Sequence, residues 1–358
     1  MNFWYEKVVR PYFFTLDPEH AHERSVAALS LLGKVGPAVS LLESLTQLSP
    51  MKFAPVRAFG LDFPNRVGLA AGYDKHATAW PALSALGFGH AEIGTVTALP
   101  QPGNERPRLF RYPEQEAVIN RMGFNNLGAE AIAARLAKQT PRGKRRIPLG
   151  INIGKSTVVP ATEIDKVVED YLVSFGLLAD YADYLVLNVS CPNTPNFRTL
   201  QDEKPLRQIL GAISAANRER QRKDLSARVP VLLKIAPDLP WAHLDMILQV
   251  LTDFGIDGVV ATNTTTSRPG FFATVDQRGG LSGRPVRDKS TQVVGYIARA
   301  TGGRLPIIGV GGIDDAASAA EKLDAGATLV QVYTGMIYRG PFLPRDIARA
   351  ASWRDRRV

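Results

Sequence analysis

"VGLAAGYDK", residues 67–75, decides the fold. Its apolar start is short and bounded by polar residues, which reads as a buried strand rather than a helix. An open doubly wound sheet would follow its first strand with a glycine-rich dinucleotide fingerprint. "AGYDK" is not that fingerprint. Counting the run at 67–70, short apolar runs recur eight times, the others at 91–95, 148–153, 184–189, 231–235, 258–262, 306–310 and 328–332. Between them, segments such as 164–179, 206–218, 242–254 and 316–325 carry helical periodicity. Continuously apolar strands alternating with helices indicate a parallel sheet covered on both faces. Eight such repeats predict a closed (β/α)8 TIM barrel, with the open sheet as the second reading.

Residues 1–50 do not follow this cadence and form an N-terminal two-helix extension, leaving 51–358 as the barrel. Asp17 is placed to cap a helix that starts at Pro18 and runs through "EHAHERSVAALSLLGK" to about Gly36. A second helix follows Pro37 through "AVSLLESLTQL" and ends near Pro50. Leu29, Leu32, Val39, Leu42 and Leu45 give the pair an apolar side. Two readings fit: a hairpin capping the bottom of the barrel, or one whose apolar side opens to a membrane surface.

The 358 residues contain a single cysteine, which excludes an internal disulfide framework and any cysteine-based metal cluster. No stretch approaches the length of a spanning helix, and "MNFWYEKVVRPYFFTL" has charged interruptions where a signal peptide would be apolar. The formal net charge of +9 suits an anionic ligand or surface. No basic run is interleaved with aromatics, so no nucleic-acid partner is expected.

In such a barrel the chemistry sits at the C-terminal strand ends. Here these ends read "AAGYDK", "GTVT", "INIGKS", "NVSCPNTP", "LKIAPD", "ATNTTT", "GVGGI" and "QVYTG". So many Asn, Lys and Thr residues exceed what turns require. "GVGGI" followed by "VYTG" fits a phosphate site after strands seven and eight, where glycines admit backbone N–H groups to phosphate oxygens. Lys75 and Lys234 offer fixed positive charge. Asn120, Asn125, Asn152, Asn188, Asn193 and Asn263 suit the imide-like edges of a planar polar ligand. There is no Ser-His-Asp elbow, no glycosidase-like carboxylate pair and no histidine trio for a metal. Phosphate-anchored cofactor chemistry on a small anion remains.

Taken in order, these motifs, with "PQPGNERPRLFR", "INRMGFNN" and "GLSG", resemble the dihydroorotate dehydrogenase family over essentially the whole chain. The N-terminal "LDPEHAHE" and the hairpin resemble its membrane-associated, quinone-dependent class 2. The resemblance implies an FMN-holding barrel that oxidises (S)-dihydroorotate to orotate in pyrimidine biosynthesis. Ubiquinone or menaquinone would be the acceptor, and the enzyme would lie peripherally on the cytoplasmic face of the cell membrane. It implies FMN contacts at Ala71, Gly72, Tyr73, Asp74, Lys75, Thr95, Asn152, Asn188, Lys234, Thr262, Gly283, Gly312, Tyr333 and Thr334. Orotate contacts are implied at Lys75, Asn120, Arg121, Met122, Gly123, Phe124, Asn188, Asn193, Asn263 and Thr264. His22 and Arg111 match positions along the quinone tunnel. Cys191 matches the catalytic base, where class 2 members usually carry serine and the soluble class 1 members cysteine. A thiol is a workable base because its free pKa of about 8.5 lies nearer working pH than a hydroxyl's. The cysteine keeps open an alternative acceptor, fumarate or NAD. A non-redox phosphate-binding barrel is the reading furthest from this one.

Overall fold

The computed structural model describes residues 4–45, 55–194, 196–224 and 227–355. The chain enters through a π-helical turn, Tyr5–Val9, and three helices: α1 (Arg10–Thr15), α2 (Pro18–Gly33) and α3 (Gly36–Leu45). Asp17 caps α2 as expected, its carboxylate accepting from the N–H groups of Glu19 and His20, both at 3.0 Å. The expected end of the second helix near Pro50 and the 50/51 boundary lie outside the described residues.

A small antiparallel hairpin, β1 (Val56–Ala58) and β2 (Leu61–Phe63), precedes the barrel. The barrel strands are β3 (Val67–Leu69), β4 (His90–Val96), β7 (Leu149–Ile153), β8 (Tyr184–Asn188), β9 (Val231–Ile235), β10 (Gly258–Ala261), β12 (Ile307–Val310) and β13 (Leu329–Val332). They pair in parallel in this order, and β13 closes on β3 through Val330 opposite Val67. The eight strands coincide with the eight apolar runs. The outer helices are α4 (Ala129–Leu136), α5 (Ile164–Leu178), α6 (Glu203–Lys223), α7 (Trp241–Phe254), α8 (Arg287–Ala300), α9 (Ala316–Asp324), α10 (Thr334–Arg339) and α11 (Leu343–Asp355). The strands are buried almost throughout because the helices cover their outer faces and the barrel fills its own interior.

Two features at opposite ends of the barrel were not legible in the sequence. At the bottom, Phe59 and Phe63 of the β1–β2 hairpin pack against His90 and Tyr184. Gly68 and Gly150 make room for this plug: a Cβ on either would fall 2.0 Å from the His90 ring or 2.2 Å from the Tyr184 ring. The hairpin of strands therefore caps the bottom. The N-terminal helices sit elsewhere: Ser25 and His22 of α2 meet Tyr73, which follows the C-terminal end of β3. The bottom-cap reading of those helices is thus replaced by a position beside the mouth. At the top, β5 (Leu109–Tyr112), β6 (Ala117–Asn120) and β11 (Gly280–Gly283) form a three-stranded antiparallel sheet. Its strands come from the loops after β4 and β10, so only the closed barrel brings them together.

Candidate active site at the barrel mouth

An open cavity lies over the C-terminal strand ends. Most of the expected site residues face it: Ala71, Gly72, Lys75, Thr95, Asn188, Lys234, Thr262, Gly283, Gly312, Tyr333 and Thr334. So do Asn120, Met122, Gly123, Phe124, Asn193, Asn263 and Thr264, with Cys191 among them. The antiparallel sheet supplies one wall through Leu109, Val118 and Ser282.

Lys75 is buried and has no hydrogen-bond or ion-pair partner among the described residues. Burial pulls its pKa down to about 8, against the opposing pull of the Glu19 carboxylate. Such an ammonium gains most by pairing with an anion. Asn193 Oδ1 and Gln331 Oε1, also on the lining, are buried without hydrogen-bond partners. Asn193 reaches Asn120 through its amide nitrogen at 3.3 Å. An acidic ligand with N–H donors would satisfy Lys75 and Asn193.

Cys191 is 4 % exposed. Burial pushes its thiol pKa up, while the backbone N–H groups of Asn193 and Thr194 and the Thr194 hydroxyl pull the other way. The Thr194 hydroxyl lies 3.8 Å from Sγ. Forming a thiolate here is therefore harder than at a free cysteine. Ser190, its neighbour, turns to the asparagines: its hydroxyl donates to Asn188 Oδ1 at 3.1 Å and accepts from Asn263 Nδ2 at 3.0 Å.

Other expected residues lie outside the lining. The fully buried Asp74 carboxylate accepts from the N–H groups of Thr78, Ala79 and Trp80 and shapes the loop after β3. Tyr73 donates from its hydroxyl to Ser25 on α2 at 2.8 Å. Asn152 lies beneath the lining, between Glu92 at 2.8 Å and Thr95 at 2.6 Å. Arg121 points outward to the Pro107 and Arg278 carbonyls. His22 stacks edge-on with Tyr73, ring centroids 5.0 Å apart, and burial holds its pKa well below the usual range. Arg111 donates to the carbonyls of Phe13, Phe14 and Leu16, tying the end of α1 to the antiparallel sheet.

Glu92 and Gln331 went unnoticed in the sequence. Glu92 carried a signal: a carboxylate inside a strand buried on both faces needs partners. The Glu19–Arg108 pair carried none, because its partners are far apart in the chain. Arg108 contacts both carboxylate oxygens of Glu19 at 2.8 to 3.2 Å, and both side chains are buried. Its other nitrogen donates to the carbonyls of Pro102 and Asn104.

Fold and cavity together define a (β/α)8 barrel protein with a polar, anion-adapted cavity at its C-terminal mouth. The family description "Dihydroorotate dehydrogenase" matches residues 54–352. The chain is 48% identical over 355 residues to dihydroorotate dehydrogenase (quinone) of Chloroflexus aurantiacus, covering 97% of this chain and 96% of that protein. It is 50% identical to the protein of the same description from Salinispora arenicola, covering 97% and 98%. The solved structure of Eimeria tenella DHODH in complex with ferulenol superposes with a TM-score of 0.82 at 35% identity, covering 94% of this chain and 90% of that one. This chain belongs to the dihydroorotate dehydrogenase family.

Proposed function

We propose that the chain oxidises (S)-dihydroorotate to orotate, with FMN as the flavin at the barrel mouth and a membrane quinone as final acceptor. Family membership makes it a flavin-dependent oxidoreductase of pyrimidine biosynthesis. The observation that carries the detailed reading is the unpaired, buried Lys75 in one cavity with Cys191 and four asparagines.

FMN fits the residues present. The glycine-rich loops at Gly283 and Gly312, with Thr334, would hold its phosphate, and Lys234 and Thr95 its ring. When bound, FMN would supply the acceptor for the hydride from substrate C6 and the relay of electrons to quinone. The chain's own residues do the rest. Cys191 Sγ takes the C5 proton, and the Thr194 hydroxyl hydrogen-bonds the sulfur. Lys75 pairs with the substrate carboxylate. Asn120, Asn193, Asn263 and Asn188 grip the pyrimidine ring and hold it in line for transfer. The burial of Cys191 keeps most water from the sulfur.

The membrane surface would be met by the N-terminal helices. Seven of the fourteen exposed large apolar side chains among the described residues fall in the first 45: Trp4, Val8, Val9, Tyr12, Leu31, Val35 and Leu41. No single described helix is long and apolar enough to cross a bilayer, and α2 and α3 meet at 98°. This geometry suits a peripheral membrane contact, with His22 and Arg111 between helices and barrel; we infer that it lies on the cytoplasmic face and that the quinone enters past these two residues. The names of the relatives favour quinone over fumarate or NAD. Steady-state rates of the purified protein with a short-chain quinone, fumarate and NAD test the reading. Dihydroorotate-dependent turnover is expected with the quinone alone; a colourless, inactive protein would overturn it.

A further inference from the structure

We propose that Glu92 is a positioning residue that sets both the charge balance and the hydrogen-bond direction of the cavity floor against the flavin. The inference rests on the flavin-binding reading above. Glu92 lies inside the barrel on β4 with no exposed surface. A buried carboxylate is costly unless it is paired and hydrogen-bonded. Here Asn152 Nδ2 donates to one oxygen at 2.8 Å, Gln331 Nε2 donates to the other at 2.8 Å, and Lys234 Nζ lies 3.8 Å away.

An ionised carboxylate only accepts, so both amides must turn their NH2 groups toward it. The direction then propagates. Asn152 is left with its carbonyl toward Thr95, whose hydroxyl donates to it at 2.6 Å. The Thr95 oxygen accepts from Asn188 Nδ2 at 3.1 Å. Asn188 Oδ1 accepts in turn from the Ser190 N–H, the Ser190 hydroxyl and Asn263 Nδ2, at 3.2, 3.1 and 3.4 Å. Reversing any one amide would set like against like along the row, acceptor facing acceptor at the carboxylate or donor facing donor further along. One acceptor-only group beneath the floor thus fixes the sense of Thr95, Asn188, Asn263 and Gln331, all of which face the cavity.

Lys234 faces the same cavity, and its distance from Glu92 exceeds a direct hydrogen bond, so its N–H donors are not spent on the carboxylate. Glu92 keeps this lysine from presenting an uncompensated positive charge. The prediction is electrostatic. Removing the carboxylate charge favours the electron-rich reduced flavin, and removing the ammonium charge does the reverse.

The test is spectroelectrochemistry of the flavin-loaded protein. Glu92→Gln should raise the midpoint potential, with reduced flavin held at least tenfold more tightly relative to oxidised, ~30 mV for a two-electron couple. Lys234→Met should lower it. Glu92→Gln/Lys234→Met, which buries no charge and keeps similar volumes, should return toward the wild-type value. Glu92→Asp, which keeps the charge, should stay near wild type. If Glu92→Gln fails to fold, the double variant decides alone: a potential equal to that of Lys234→Met overturns the proposal. So does an unchanged potential in a folded Glu92→Gln protein. A wild-type protein that binds no flavin would instead sink the functional reading itself.

Discussion

At the scale of single residues, the cavity separates groups that act on a ligand from groups that hold the site. Cys191 has a buried sulfur on the lining, whereas Ser190 spends its hydroxyl on Asn188 and Asn263. Cys191→Ala should keep the flavin spectrum and lower kcat with dihydroorotate by roughly 10²- to 10⁴-fold, the usual worth of a positioned base. Retained turnover in that variant would remove the thiol from the mechanism. Because burial raises the Cys191 pKa, kcat should still be climbing at pH values where a free thiol has titrated. Cys191→Ser should push that limb higher, which a pH–rate profile of the two proteins compares directly. Lys75→Met leaves the lining apolar at this point, and orotate titrations should show affinity falling at least tenfold while flavin stays bound.

At the scale of elements, the junction between α2 and the substrate wall is the buried Glu19–Arg108 pair. Arg108 also holds the Pro102 and Asn104 carbonyls, and the Asn104 amide reaches the Arg121 carbonyl at 2.8 Å. The helix and the wall are therefore joined through one guanidinium. Arg108→Leu leaves Glu19 buried without its main partner, which costs about 3–5 kcal/mol. Urea denaturation should show this loss, and Glu19→Gln in the same background should recover much of it. An Arg108→Leu protein as stable as wild type would mean that the junction contributes nothing. This contact was illegible in the sequence, because an Arg in a loop and a Glu on a helix 89 positions apart carry no local pattern. The α2 cap was legible because Asp17 and Pro18 act within one turn.

At the scale of the whole molecule, acid should unfold the protein partly through its sealed lower end. His90 is fully buried, both ring nitrogens lack partners, and burial pulls its pKa down to about 3. The unfolded chain takes up a proton below about pH 6.5 that the folded protein refuses. This part of the stability is therefore intact above pH 6.5 and falls toward pH 3, by ~2 kcal/mol at pH 5 and ~5 kcal/mol at the limit. His90→Leu should flatten that fall in urea titrations at pH 7 and 5. An equal slope in the variant would assign the acid sensitivity elsewhere.

The local pattern of the chain by itself determined the barrel and most of its mouth. Eight apolar runs bury only as parallel strands under helices, and each strand end carries its polar residues in the loop that follows. Lys75, Asn188, Cys191, Asn193 and Lys234 were readable for that reason. Closure of the barrel decided the rest. It joined segments after β4 and β10 into one wall, put a hairpin of strands rather than helices under the floor, and set Glu92 against Asn152, Lys234 and Gln331. Those contacts depend on distances between residues far apart in the chain, which no local spacing encodes.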